Sequence, residues 1–268
     1  MSELSDKPVA LVTGARRGIG RAICYALAEH GFNLVVNDLL DGPDMEVTLT
    51  GVEARHARAL ALVRDIADLA THEELIQQAL DYFGRLDCLV NNAGVSALAR
   101  GDLLDVSVES YDRCLNTNLR GTFFLTQRFA RYLLASAPPN NQHYNQHHSQ
   151  HRAIITISSA NAETVSISRG EYCMSKTGLA MMSKLFAARL AEADIGVYEV
   201  RPGIIATEMT APVQHRYDQL IAEGGVPMPR WGQPDDVAQT VATLASGALP
   251  YCTGETINID GGLHLRRL

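Results

Sequence analysis

The chain has 268 residues and a formal charge of −7, with 46% hydrophobic and 20% charged residues. That length holds one large domain or two small ones around a substantial core, and the composition excludes a disordered chain. The negative balance, with no local cluster of Lys or Arg to reverse it, argues against nucleic acid and anionic membrane surfaces as partners.

The polar opening MSELSDKP offers neither a signal peptide nor a spanning helix, so a cytoplasmic location is expected. A first strand is expected over Val9–Thr13, followed by a turn carrying Gly14, Gly18 and Gly20 and by a helix beginning near Ile19. Glycines permit positive φ and close backbone approach, and a helix N-terminus offers unpaired N–H groups to a pyrophosphate. A dinucleotide cradle fits this pattern, although G-x-x-x-G-x-G differs from the commoner G-x-G-x-x-G and would also serve a plain tight turn. Gly31 stands where a left-handed residue would end the helix.

Asn33–Asp38 reads as the second strand, and Asp38 ends it where an acid can bond a ribose hydroxyl. Such an acid repels a 2′-phosphate and favours NAD; Arg16 or Arg17, turned toward the adenosine, would instead favour NADP. A third strand is expected over Arg58–Asp65, and THEE places Thr71 three residues before Glu74, the spacing of a capping box. Leu75, Ile76, Ala79 and Leu80 then repeat at helical spacing, and Leu86–Gly94 reads as the fourth strand.

Pro138–His151 is a polar run of low complexity; its His residues lack companion ligands in any regular spacing, so a flexible solvated loop is expected and no metal. Strands follow over Ala153–Ser159, Gly196–Gly203 and Glu255–Gly262, separated by helices carrying Leu179, Met182, Phe186 and Leu190 and starting near Pro234. Most of these runs lack alternation, as strands covered on both faces do. Repeated β then α, with no break in composition, implies one doubly wound parallel sheet of about seven strands with helices on both faces, spanning 1–268 as a single domain. The cysteines, Cys24, Cys88, Cys114, Cys173 and Cys252, show no zinc spacing and read as reduced.

In EYCMSKTGL, Tyr172 and Lys176 stand four residues apart and share a helix face, so the ammonium is expected to favour the phenolate. An isolated Y-x-x-x-K is also what any amphipathic helix presents. Taken with TGARRGIG, NNAG, NTNLRGTFF, ITISS, VRPG and TGETINIDGG, however, the pair closely resembles the short-chain dehydrogenase/reductase family over nearly the whole chain.

The resemblance implies a Rossmann-type fold and hydride transfer between nicotinamide and a ketone or secondary alcohol. Tyr172 matches the family's catalytic tyrosine, Lys176 its lysine partner, and Asn118 the asparagine that completes a proton relay through a held water. The serine thirteen residues before the tyrosine is Ser159, with Ser158 as its neighbour. The cofactor positions are Gly14, Arg17, Gly18, Ile19, Gly20, Asp38, Asp65, Ile66 and Asn92, then Pro202, Gly203 and Thr207 near the nicotinamide amide, with Tyr172 and Lys176 at its ribose. Thr207 to Gly225 resembles a substrate lid, and Met209, Val213, Tyr217, Met228 and Trp231 are candidates for its lining.

The nearest likeness within the family is to 3-oxoacyl-(acyl-carrier-protein) reductases. Two features oppose a carrier-protein partner: the Asn/Gln/His loop and the acidic AEAD at Ala191–Asp194 stand where such reductases carry basic residues. A polyol or other small secondary-alcohol dehydrogenase is the alternative, and a non-catalytic cofactor-binding regulatory subunit a second one, opposed by the presence of Asn118, Ser159, Tyr172 and Lys176. The family also implies a homotetramer built on the helices of Asn118 and Tyr172.

Overall fold

The computed structural model describes residues 7–136 and 151–266. Its seven strands are β1 (Val9–Thr13), β2 (Asn33–Asp38), β3 (Ala59–Val63), β4 (Cys88–Asn91), β5 (Arg152–Ile157), β6 (Ile195–Pro202) and β7 (Thr256–Ile259). They form one sheet in the order β3-β2-β1-β4-β5-β6-β7, and every neighbouring pair is parallel. The helices are α1 (Gly18–Glu29), α2 (Pro43–Glu53), α3 (His72–Phe83), α4 (Val108–Cys114), α5 (Thr122–Ala135), α6 (Gly170–Leu190), α7 (Gln214–Ala222) and α8 (Pro234–Ala245).

The sequence makes this sheet because its strands are apolar on both faces. Along β1, Ala10 and Val12 join one core with Ile23 and Leu27 of α1, Met45 of α2 and Val237 and Val241 of α8. Val9 and Leu11 join the opposite core with Leu75 and Ile76 of α3, Leu125 and Phe129 of α5 and Leu190 of α6. Residues i and i+1 of a strand point to opposite faces, so a continuous apolar run is what a strand between two helical layers needs. Each fully buried Leu or Ile stabilises the fold by about 1.5–3 kcal/mol relative to exposure.

Strand order reverses at β1, which pairs with β2 on one side and β4 on the other. Ligands of open α/β sheets bind at such a switch, beyond the carboxyl ends of the strands. Thr13, Asp38, Asn91, Ile157 and Pro202 all end strands at that edge. β4 and β7 are shorter than their apolar runs, since residues from Asn92 and from Asp260 onward leave the ladder at this edge.

Two end signals resolve differently. Gly31 has φ +87°, as its position after α1 predicts, and Gln233 with Asp236 forms a capping box at α8. The expected box at Thr71 and Glu74 is absent. A short 3₁₀ turn over Leu69–Thr71 leads into α3 with Asp68 accepting the Ala70 N–H, and Thr71 Oγ1 is engaged by the Asp68 carbonyl at 2.9 Å. Glu74 instead pairs with Arg64. Of the polar run Pro138–His151, residues 138–150 lie outside the described residues. Among the described residues there is no cluster of His, Cys, Asp or Glu suited to a metal, and no helix is long and apolar enough to cross a membrane.

Candidate active site

The glycine turn is fixed by contact as much as by conformation. Gly14 has φ +63°, and a Cβ at Gly20 would stand 2.2 Å from the Gly14 carbonyl oxygen and 2.6 Å from Asn92 Nδ2. Asn92 explains the second contact: its Nδ2 donates to the carbonyls of Thr13 and Gly14, both at 2.9 Å. Its amide thus holds the turn against the end of β4. The N-terminus of α1 has no side-chain cap and no acidic residue in its first turn. Open N–H groups, a positive helix end and a floor kept bare of side chains fit a pyrophosphate.

Asp38 faces this turn from the end of β2. It accepts N–H groups of Leu39 at 2.8 Å and Arg16 at 3.3 Å, and its Oδ1 lies 3.3 Å from Arg16 Nε. Arg16 also pairs with Asp44 at 3.1 Å, an acid it shares with Arg21 at 3.0 Å, so its guanidinium lies between two carboxylates. Arg17 projects from the other side of the turn onto Glu208. Thr207, beside Glu208, lies across from Gly18, so the start of the expected lid meets the opening of α1. Gly203 follows β6 and bonds the Ile259 carbonyl, which brings Pro202 and Gly203 to the same edge. Asp65 Oδ1 accepts the Ala67 N–H and Ile66 is buried, its carbonyl accepting from His72 Nε2 at 2.8 Å.

The four expected catalytic residues meet at the ends of β4 and β5. Ser159, just past β5, and Tyr172, in the first turn of α6, come together at this edge, near enough for the Ser159 side chain to favour the ionised phenol. Ser158 turns the other way and donates to Glu199 on β6, itself paired with Arg201; this separates the two serines that sequence leaves adjacent. Lys176 follows one turn after Tyr172, its Nζ 5.6 Å from the phenol ring centroid and donating to the Ile157 carbonyl at 3.0 Å. A Cβ at Gly94 would lie 3.4 Å from Lys176 Nζ and 3.3 Å from Asn118 Oδ1, so the bare backbone of NNAG lets both approach.

Asn118 sits in a π-helical stretch, Leu115–Gly121, between α4 and α5. Its side chain is fully committed: Nδ2 donates to Val95 O and Ser175 Oγ, both at 2.9 Å, and Oδ1 accepts the Val95 N–H at 2.7 Å. Such bulges are frequent at functional sites because they re-aim one residue within a helix. Here the amide joins α6 to the loop after β4.

Electrostatics at the phenol differ from the simple reading of a Tyr with Lys one turn away. Burial raises the Tyr172 pKa; the Ser159 side chain and the Arg169 charge oppose it. Burial also brings Lys176 down to about 8, because its ammonium loses water and gains only distant help from Cys114 and Glu199. The cation that acts on the phenol here is Arg169, three residues before it, which sequence reasoning passed over. It stands at the N-cap of α6 with a non-helical backbone, outside the periodicity by which Tyr172 and Lys176 were paired. Asn161 was missed as well; it bonds Arg169 from the loop after Ser159.

On the lid side, Tyr217 of α7 packs edge-on to Trp231 at 5.7 Å, and Trp231 Nε1 donates to Asp218 at 2.7 Å. Met209 and Met228, expected to line an apolar pocket, are about half exposed. Tyr217 is the one of these residues that reaches the Tyr172 neighbourhood, through Arg169.

A family model described as enoyl-(acyl carrier protein) reductase matches residues 14–264. The 3-oxoacyl-[acyl-carrier-protein] reductase of Staphylococcus aureus is 33% identical over 258 residues, covering 96% of this chain and 98% of that protein. The chain belongs to the short-chain dehydrogenase/reductase family. A solved 3-oxoacyl-[acyl-carrier protein] reductase from Brucella melitensis in complex with NAD is 45% identical with a TM-score of 0.91, covering 98% of this chain and 99% of that one. A structure from Agrobacterium tumefaciens described as a 2-deoxy-d-gluconate 3-dehydrogenase, with bound NADP, is 31% identical with a TM-score of 0.84, over 99% and 100% of the two chains. As a member of this family the protein is an NAD(P)-dependent oxidoreductase that interconverts CH–OH and C=O, with a 3-oxoacyl-reductase-like sequence.

Proposed function

We propose that the protein reduces a small 3-oxoacyl compound or related ketone, or oxidises the matching alcohol, with Tyr172 as proton donor and acceptor. The observation that carries this is the meeting of Tyr172 and Lys176, Nζ 5.6 Å from the phenol ring centroid, with Asn118 at the bare backbone of Gly94 and with Ser159 near enough to act on the phenol. A bound nicotinamide dinucleotide supplies or accepts the hydride. As charge builds on the carbonyl oxygen, Tyr172 Oη gives it a proton and Ser159 Oγ donates a second hydrogen bond. Burial keeps the phenol protonated, the form reduction needs. Lys176 holds the nicotinamide ribose, and Asn118 keeps α6 and the Val95 loop in register so that a water can link Lys176 to solvent.

Gly14, Arg17, Gly18, Ile19 and Gly20 would cradle the pyrophosphate, Asp65, Ile66 and Asn92 would flank the adenine side, and Pro202, Gly203 and Thr207 would meet the carboxamide. NAD is the proposed cofactor. Asp38 and Asp44 already compensate Arg16, and Arg17 is drawn to Glu208, so neither guanidinium stands free beside Asp38 to receive a 2′-phosphate. Residues 207–225, which include α7, would act as the lid. The substrate is proposed to be free of a carrier protein, because Glu192 and Asp194 are exposed at the end of α6, where an acidic carrier would be repelled.

A homotetramer is also proposed. Phe123, Leu134, Leu185, Phe186 and Leu190 line an apolar groove of about 360 Å³ between α5 and α6, and Leu185 is 59% exposed. The function is tested by initial rates of acetoacetyl-thioester reduction with NADH and NADPH, in wild type and Tyr172→Phe. The variant is expected to bind cofactor normally and to lose about 10²–10⁴-fold in turnover; equal turnover would remove Tyr172 from the mechanism.

A further inference from the structure

Arg169 opens α6 three residues before Tyr172, with its guanidinium carbon 5.1 Å from the phenol ring centroid. Its Nη2 donates to Asn161 Oδ1 and lies 3.4 Å from Tyr217 Oη, while its Nε is buried without a hydrogen-bond partner. Among the described residues no carboxylate pairs with it, in contrast to Arg16, Arg17, Arg21, Arg201 and Arg230. A half-buried guanidinium offered only neutral oxygens carries a charge that is partly desolvated and uncompensated.

The surroundings of Arg169 are those of the reacting carbonyl. Asn161 comes from the loop just after Ser159, Tyr217 from α7, and Tyr172 from the first turn of α6, which Arg169 caps. Nε and Nη2 form one edge of the guanidinium plane, the edge that carboxylates take with two parallel hydrogen bonds. Asn161 Oδ1 occupies one of those two positions and the other is vacant of any acceptor.

We propose that Arg169 is a specificity residue that binds a carboxylate of the substrate, so that the enzyme acts on short oxo acids or hydroxy acids in preference to uncharged ketones and alcohols. This rests on the carbonyl/alcohol reading of the site above. A single guanidinium matches the single charge of a carboxylate better than the double charge of a phosphate monoester. The substrate carboxylate would take the Nε–Nη2 edge, displacing Asn161 Oδ1, while the carbonyl or hydroxyl oxygen lies between Tyr172 and Ser159.

The test compares acetoacetate with its neutral methyl ester, at saturating NADH, in wild type, Arg169→Gln and Arg169→Lys. Loss of the cation also changes the acidity of Tyr172, and less so where a bound carboxylate already offsets the charge, so the acid-to-ester ratio of kcat/KM is paired with an affinity that involves no proton transfer. Wild type is expected to favour the acid, Arg169→Gln to lower the ratio about tenfold or more, and Arg169→Lys to recover part of it. Butyrate binding to the enzyme–NAD complex, measured by calorimetry, reads the same contact without turnover and is expected to weaken by a similar factor in Arg169→Gln. A ratio and a butyrate affinity indifferent to Arg169, or no butyrate binding by wild type, would overturn the proposal. Failure to reduce either ketone, with butyrate binding that depends on Arg169, would sink the 3-oxoacyl reading and support the carboxylate subsite.

Discussion

Replacing Asp38 by Ser tests the proposed preference for NAD. The carboxylate ends β2 and accepts N–H groups of Leu39 and Arg16 while pairing with the Arg16 guanidinium. Serine keeps an acceptor for the turn but removes the charge, so the loop is retained and two electrostatic relations change. An acid-to-ribose hydrogen bond of the charged type contributes about 1.5–3 kcal/mol, and its loss lowers kcat/KM for NADH roughly 10- to 150-fold. At the same time the repulsion of a 2′-phosphate disappears, and Arg16 keeps only Asp44 as a carboxylate partner, at 3.1 Å. NADPH efficiency is therefore expected to rise as NADH efficiency falls. The assay is the ratio of the two efficiencies at one fixed carbonyl concentration. An unchanged ratio in Asp38→Ser would refute the argument, since it would mean that neither the acid nor the arginine it holds reads the ribose.

Gly20→Ala is expected to cost about 1–3 kcal/mol and to abolish cofactor binding, because its Cβ would lie 2.2 Å from the Gly14 carbonyl oxygen; thermal unfolding with and without NAD checks both. Leu185→Glu places a charge on the apolar α5–α6 groove and is expected to give smaller particles in sedimentation velocity, with unfolding little changed because Leu185 is 59% exposed. Arg169 lowers the Tyr172 pKa, so removing it favours the neutral phenol. The alkaline rise in oxidation of a neutral alcohol should move to higher pH in Arg169→Gln, and a profile that stays in place would show that the charge does not reach the phenol.

The sheet was legible because its strands are short apolar runs separated by helical repeats, and β1 and β2 fall on the predicted residues without shift. The residues of the site were legible where backbone constraint leaves a local mark: the glycines of the turn, the acid ending β2, the pair Tyr172 and Lys176. Thr71 shows the limit. Its spacing to Glu74 satisfies a capping box, yet the 3₁₀ turn before α3 and the nearby Arg64 take both side chains elsewhere. Ser158 and Ser159 differ only in which face of the chain end they occupy, and the partner that decides it, Glu199, lies on a strand far along the sequence.

The phenol shows why spacing is an incomplete guide to electrostatics. Helical periodicity places Lys176 beside Tyr172, but a long side chain goes where its hydrogen bond is, and the Ile157 carbonyl at the end of β5 draws the ammonium there. That leaves Tyr172 with Lys176 toward the strand ends and Arg169 toward Asn161 and the lid. The two cations are consequently not redundant. On the functions proposed above, Lys176, buried and brought down to about 8, serves the cofactor and Arg169 meets the charge of the substrate. A carboxylate arriving at Arg169 would cancel part of the charge that lowers the phenol's pKa and so hold Tyr172 in its protonated form. An oxo acid would in this way keep Tyr172 protonated to higher pH while making it a weaker acid, and a neutral ketone would not.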